Sequence, residues 1–304
     1  FPQDSVIFPN PEGTARGFAA RRDGNWVVAM PGVPHEMVNM FQESVAPFLR
    51  EQFDGGSVIL GESLHLFPIA EPDVDAELRD LTRADANPLV GITVMDGVVT
   101  VTIRARGETE DEARDILQRH VQEVRNRFGE IVYGSGGESI AAALARVMDE
   151  NDVTVGVAES LTGGLIGHML VDIPGISSFF LADVVAYSNE AKENLLGVPQ
   201  DTLVEHGAVS EPVARAMAEG ACRASGSRLG ISTTGIAGPT GGTDEKPVGL
   251  VYVGVCLDGD TGVTKLHVLG DRSRVKDRTA KYALNQARLA LQQGIDCMVQ
   301  ERGL

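Results

Sequence analysis

The chain has 304 residues, 43% of them hydrophobic and 23% charged, with a formal net charge of −17. At about 100–200 residues per domain, this length predicts two or three soluble globular domains with sizeable cores. The acidity argues against a generic nucleic-acid binder, which needs a basic face, and against docking on anionic membranes, but one local basic pocket can still hold a small anionic ligand.

Three cysteines, Cys222, Cys256 and Cys297, stand far apart with no CxxC, which disfavours a disulfide scaffold or zinc knuckle and fits a reducing, cytoplasmic compartment. The six histidines are scattered without an HExxH pair, so neither a metal nor another cofactor is expected. The chain has no apolar run of about 18 residues, the length that reads as a transmembrane helix. Its first residues lack the basic and apolar regions of a secretory signal. The absence of an initiator methionine is read as the mark of a fragment.

In chain order, Val6–Phe8 and Trp26–Met30 read as short strands, and a helix is predicted from His35 to Phe53, closed by Gly55-Gly56. Residues 1–56 are thin for an independent domain and are assigned to the remnant of a larger α/β domain. Residues 57–134 predict a small α+β domain. Its strand Ser57–Phe67 precedes a helix over Pro72–Arg83, a hairpin turning at Asp96-Gly97 and an amphipathic helix Thr109–Phe128. Gly134–Gly137 reads as a linker. Residues 137–304 alternate helices and strands, which implies a layered α/β domain. Helices are expected at Ser139–Asn151, Gly163–Ile173, Val213–Ala224 and Lys276–Gln293, and strands at Val153–Ala158, Leu181–Tyr187, Leu229–Thr233 and Gly249–Val255.

Four segments of this last region carry candidate chemistry. In AESLTGG (158–164) a strand ends in small polar residues and two glycines open a helix. This places the Ser160 hydroxyl at a sheet edge and aims the backbone N–H groups of Gly163 and Gly164 at the same space, as acyl transfer requires; the plainer reading makes Ser160 or Thr162 a helix cap. In AYSNEAK (186–192) Lys192 is either a solvated charge at a helix start or, in a poorly hydrated pocket, a general base near neutral pH, with Tyr187 relaying a proton or polarising the substrate. The loop TTGIAGPTGGTDEKPVG (233–249) either is a plain connection or lets backbone approach a ligand at Thr234, Gly235 and Gly238 and offers Lys246 to a phosphate, although it lacks the P-loop order. In GDRSRVKDR (270–278), Arg272 and Arg274 stand in a basic cluster that is either a solvated helix start or an anion site.

Taken together, AESLTGG, VAYSNEAKENLLGVP, HGAVSEPVARAMAEGA, TGIAGPTGGTDEKPVGLVY and GDR, in this order, closely resemble the C-terminal domain of the CinA family, the competence/damage-inducible proteins. That domain also exists alone as the nicotinamide-nucleotide amidase. Upstream, NPEGTARGF and PGVPHEM resemble the end of the family's N-terminal domain, which is related to molybdopterin-binding proteins, and residues 57–134 resemble its KH-like middle domain. The glycine-rich GGxGPT segment of the N-terminal domain is absent, and residues 57–134 lack the GXXG tetrapeptide with which a KH domain grips RNA. Leu161 stands where many members have Cys.

The resemblance implies hydrolysis of nicotinamide mononucleotide to nicotinate mononucleotide and ammonia, with Ser160 as nucleophile and Lys192 as base, directly or through Tyr187. Thr162, Gly163, Gly164, Thr234, Gly235 and Gly238 are the candidate oxyanion and substrate-binding residues, and Lys246, Arg272 and Arg274 the candidate phosphate partners. The expected partner is a small pyridine nucleotide rather than nucleic acid or membrane, and a homodimer through the middle domain is the expected assembly. Two alternatives remain open: a metal-dependent ADP-ribose pyrophosphatase working through the N-terminal remnant, and a non-catalytic nucleotide-binding module.

Overall fold

The computed structural model describes residues 1–53 and 57–304. The expected stop at Gly55-Gly56 lies outside the described residues. The chain divides into two compact units, residues 1–59 with 106–113 and residues 60–105 with 114–304.

In the first unit, strands β1 (Val6–Phe8), β2 (Gly17–Arg22) and β3 (Asn25–Ala29) form an antiparallel sheet. The single expected helix over 35–53 is α1 (Pro34–Met40), a π turn (Phe41–Val45) and α2 (Ala46–Gln52). Pro47 has no N–H for the regular i→i−4 ladder, and the wider turn lies directly before it. Phe8, Ala19, Met40 and Val45 form the small core.

The second unit contains two sheets. Strands β4 (Val58–Leu66), β5 (Leu89–Met95), β6 (Val98–Gly107) and β7 (Val132–Ser135) make a sheet of order β5-β6-β4-β7, accompanied by helices α3 (Glu71–Glu77) and α4 (Glu110–Phe128); residues 58–59, 106–107 and 110–113 of these elements are counted with the first unit. Asp96 (φ 50°) and Gly97 (φ 78°) make the predicted hairpin turn. Helix α3 stops well short of Arg83. The expected linker is partly strand: Gly134 pairs with His65 and Ser135 with Leu64, because Val132 and Tyr133 are apolar and buried and carry the strand to the sheet edge.

The remaining residues build a three-layer α/β/α sandwich. Its elements are α5 (Ile140–Asn151), β8 (Val155–Glu159), α6 (Leu165–Val171), β9 (Phe180–Val185), α7 (Asn189–Leu196), α8 (Gln200–His206), α9 (Glu211–Ser225), β10 (Leu229–Gly235), β11 (Leu250–Leu257), β12 (Asp260–His267), α10 (Arg272–Gln293) and β13 (Glu301–Gly303). The sheet order is β13-β12-β11-β10-β8-β9, with β10, β8 and β9 parallel. Strand β8 alternates its two faces. Val155 and Val157 join the core formed with α5, α6 and α10, whereas Ala158 joins the core formed with α7 and α9. Helix α10 starts four residues earlier than expected because the Asp271 carboxylate accepts the Arg274 N–H at 2.9 Å and caps it.

Helix α10 also joins the two sheets of this unit. Arg288, 3% exposed, donates to Glu130 O at 2.8 Å and to Asn285 Oδ1; Asn285 Nδ2 reaches Phe67 O, and Lys281 Nζ reaches Asp96 O at 2.8 Å. Among the described residues no helix is long and apolar enough to cross a membrane.

Candidate functional site

Parallel strands with helical crossovers gather ligand-binding groups at the carboxyl ends of the strands. Here those ends are Glu159-Ser160 after β8, Ala186-Tyr187 after β9 and Gly235 after β10. They surround a cleft of about 280 Å³. Ser160, Leu161, Tyr187, Lys192, Thr234, Gly235, Gly238 and Arg272 line it.

Ser160 is half-buried and its amide donates to Thr233 O at 3.0 Å, which extends the β8–β10 pairing by one residue and fixes where the hydroxyl emerges. Lys192 reaches the same point from α7. Ser188 caps that helix by accepting the Ala191 N–H at 3.1 Å, and the first turn then delivers Lys192 inward. The Lys192 side chain is 1% exposed; its Nζ lies 3.2 Å from Ser160 Oγ and 2.8 Å from Ala186 O. No carboxylate is bonded to it among the described residues, and burial pushes its pKa down. The solvated-charge reading of Lys192 is thereby overturned, and that of Ser160 as the cap of α6 fails too, since the N-cap of α6 is Gly164.

Tyr187 is 63% exposed, and its hydroxyl accepts a hydrogen bond from Arg272 Nη2 at 3.0 Å. Arg272 Nη1 donates to Gly238 O at 2.9 Å. The arginine therefore bridges the end of β9 and the glycine-rich loop at the cleft mouth, and Tyr187 is held by Arg272 rather than bonded between Ser160 and Lys192. Gly238 (φ 77°) is required by its setting: a Cβ there would stand 2.5 Å from Val248 Cγ1.

Other expected residues have different work. The Gly164 amide donates to Glu159 Oε2 at 2.9 Å, so it is not free to face an oxyanion. The Thr162 hydroxyl is buried and bonded to Thr233 Oγ1 at 2.7 Å, and the Thr234 hydroxyl donates to Ala208 O. Gly163 is exposed and does not line the cleft. Lys246 Nζ donates to His206 O at 2.7 Å and Val209 O at 2.8 Å, pinning its turn to the loop after α8, and Arg274 is exposed along the side of Gly270. Neither lines the cleft. Sequence reasoning missed Glu159, a fully buried carboxylate next to the serine; a glutamate at the last strand position before AESLTGG turns into a helix was its signal.

Comparisons with known proteins identify the family. The CinA C-terminal domain model matches residues 137–291, and the damage-inducible protein CinA KH domain model matches residues 62–134. A putative competence-damage inducible protein from Clostridium novyi is 42% identical over 291 residues, covering 96% of this chain and 70% of that protein. One from Clostridioides difficile is 40% identical over 299 residues, covering 96% and 71%. The crystal structure of the competence damage-inducible protein A from Klebsiella pneumoniae superposes with a TM-score of 0.50 at 32% identity, over 51% of this chain and 96% of that one. With both of its matched domains drawn from one family and relatives this similar along nearly its whole length, the chain belongs to the CinA family.

Proposed function

We propose that the chain is an amidohydrolase that deamidates nicotinamide mononucleotide, with Ser160 as nucleophile and Lys192 as general base. The observation that carries this reading is the 3.2 Å contact between Ser160 Oγ and a buried amine whose charged form is disfavoured by desolvation. Neutral Lys192 takes the serine proton as Oγ attacks the carboxamide carbon. Lys192, now an ammonium held by Ala186 O, returns the proton to the nitrogen as the C–N bond breaks and ammonia leaves. Water, deprotonated by the same amine, then hydrolyses the ester on Ser160 to the carboxylate product.

The amides of Ser160, Gly164 and Ile236 are committed to Thr233 O, Glu159 and Leu250 O. The oxyanion donors are therefore sought at Leu161, Ala237 and Gly238, which line the cleft. Such a donor is typically worth about 3–4 kcal/mol in the transition state. Arg272 at the mouth is the group suited to the substrate phosphate, since its planar fork matches phosphate oxygens. The choice of the nicotinamide mononucleotide substrate rests on the family resemblance.

The test is ammonia release from nicotinamide mononucleotide, with and without EDTA, by this chain and by Ser160→Ala. Release that persists in EDTA and disappears in the variant is expected. A folded variant with full activity would remove Ser160 from the mechanism, and an inactive parent would remove the substrate.

A further inference from the structure

Glu159 and Asp183 form a second constellation directly beneath the serine. Glu159 is fully buried, and its Oε1 and Oε2 accept the amides of Gly167 and Gly164 at 2.9 Å each. The carboxylate therefore sits on the N-terminus of α6 and ties the Gly164 end of the Thr162–Gly164 turn, which follows Ser160, to the first turn of the helix. Asp183 is on the neighbouring strand β9, paired with Val157, while Glu159 is paired with Val185. Residues two apart share a face, so both carboxyls point to the α6 side of the sheet.

Asp183 is pressed against the helix itself. A Cβ on Gly167 would stand 2.4 Å from Asp183 Oδ2, so only glycine admits the carboxyl there. Its Oδ1 is buried with no hydrogen-bond partner among the described residues. The Gly164 and Gly167 amides are taken by Glu159 rather than by Asp183, and two adjacent carboxyls, one buried and one half-buried, do not both ionise readily. Burial first, and the Glu159 charge and hydrogen bond second, push Asp183 up to about 7.

The charged groups on the surrounding elements are directed elsewhere. On α6, His168 faces Asp172; on α5, Arg146 bonds Glu138 and Glu150; on α10, Lys276 lies beside Gly163 and Arg272 bonds Tyr187 and Gly238. On the opposite face of the sheet, α9 carries Arg215, bonded to Thr261 O and Glu211, and Arg223, bonded to Leu196 O and paired with Glu219.

We propose that Asp183 carries a proton which it donates to the Glu159 carboxylate, and that the two act as positioning residues for Ser160, protonated Asp183 steadying the turn that ends at Gly164 and its ionisation loosening it. The inference rests on the reading of Ser160 as the nucleophile, but the clamp itself can be measured without catalysis. Protonated Asp183 donates to the Glu159 carboxylate and keeps it seated on the two amides. Loss of the proton sets like charges against each other, and Asp183, on the edge strand, withdraws from Gly167.

The experiment compares the full chain with Asp183→Asn, whose amide donates to Glu159 at every pH. The folded wild-type protein holds a proton that the unfolded chain gives up near pH 4, so wild type loses this contribution as pH rises towards about 7. The melting temperature of Asp183→Asn relative to wild type is therefore expected to climb between about pH 4 and 7 and to level off above. Hydrogen-exchange protection over residues 160–168, corrected for intrinsic rates, is expected to fall several-fold above pH 7 in wild type and to stay constant in the variant. Ammonia release should decline above pH 7 in wild type alone.

A melting difference independent of pH, or equal protection in the two proteins at every pH, overturns the proposal. So does a matching decline of activity in both. If neither protein releases ammonia while the melting and exchange results hold, the clamp stands and the amidase reading falls. Asp183→Ser, which also donates a hydrogen bond, replaces the asparagine variant if that one does not fold.

Discussion

Lys192 Nζ lies between two oxygens, Ser160 Oγ at 3.2 Å and Ala186 O at 2.8 Å. The carbonyl takes one amine hydrogen and orients the nitrogen, and in the proposed mechanism the neutral amine turns its lone pair to the serine hydroxyl. Removing this amine in Lys192→Ala should lower kcat for ammonia release by about 10²–10⁴-fold, the range of a general base. Lys192→Arg should fare no better, because a guanidinium does not give up its proton near neutral pH. Steady-state kinetics alongside circular dichroism separates this loss from unfolding.

The same burial predicts a pH profile. The active form of Lys192 is the neutral one, so kcat/KM rises with pH as the ammonium is lost. Desolvation lowers that pKa, so the midpoint should lie below the free lysine value of about 10.4. Measurement in Asp183→Asn isolates this limb from the carboxyl pair. A profile flat up to pH 10 would count against Lys192 as the base.

Arg272→Ala removes the bridge between Gly238 O and the Tyr187 hydroxyl together with the cation at the cleft mouth. Its KM for nicotinamide mononucleotide should rise at least tenfold, about 1.4 kcal/mol of binding. The KM for nicotinamide riboside, which lacks the phosphate, should change far less. Equal effects on the two substrates would assign Arg272 to cleft shape alone.

Gly238→Ala combines a left-handed backbone with a contact to Val248 shorter than a side chain tolerates. Overpacking of this kind costs about 1–3 kcal/mol. Urea unfolding should show the free energy of unfolding lowered by that amount, with a correspondingly lower midpoint, and KM should rise because Gly238 O is an anchor of Arg272.

Much of the site was legible because its motifs sit where strands end. Ala158-Glu159-Ser160 ends an apolar run in a turn, and Ala186-Tyr187-Ser188 ends one in a helix cap, so the positions of Ser160 and Lys192 follow from local pattern and the family resemblance. What sequence could not show is where each polar group spends its hydrogen bonds. Lys246 looked free for a phosphate, yet two loop carbonyls occupy its ammonium. Gly164 looked like an oxyanion donor, yet its amide belongs to Glu159. These are long-range or side-chain-specific pairings that spacing does not encode. Strands β2, β7, β12 and β13 were also missed, since short or polar segments acquire strand geometry from their neighbours.

Helix α10 runs 22 residues, which at 1.5 Å per residue is a rod about 33 Å long. Its first turn carries Arg272 at the cleft mouth, and its later turns carry Lys281, Asn285 and Arg288, bonded to Asp96, Phe67 and Glu130. The smaller sheet thus holds the later turns of the same stiff helix whose first turn lines the candidate cleft. A tilt of that sheet transmitted along the rod would open or close the mouth through Arg272, without any group of the sheet entering the cleft.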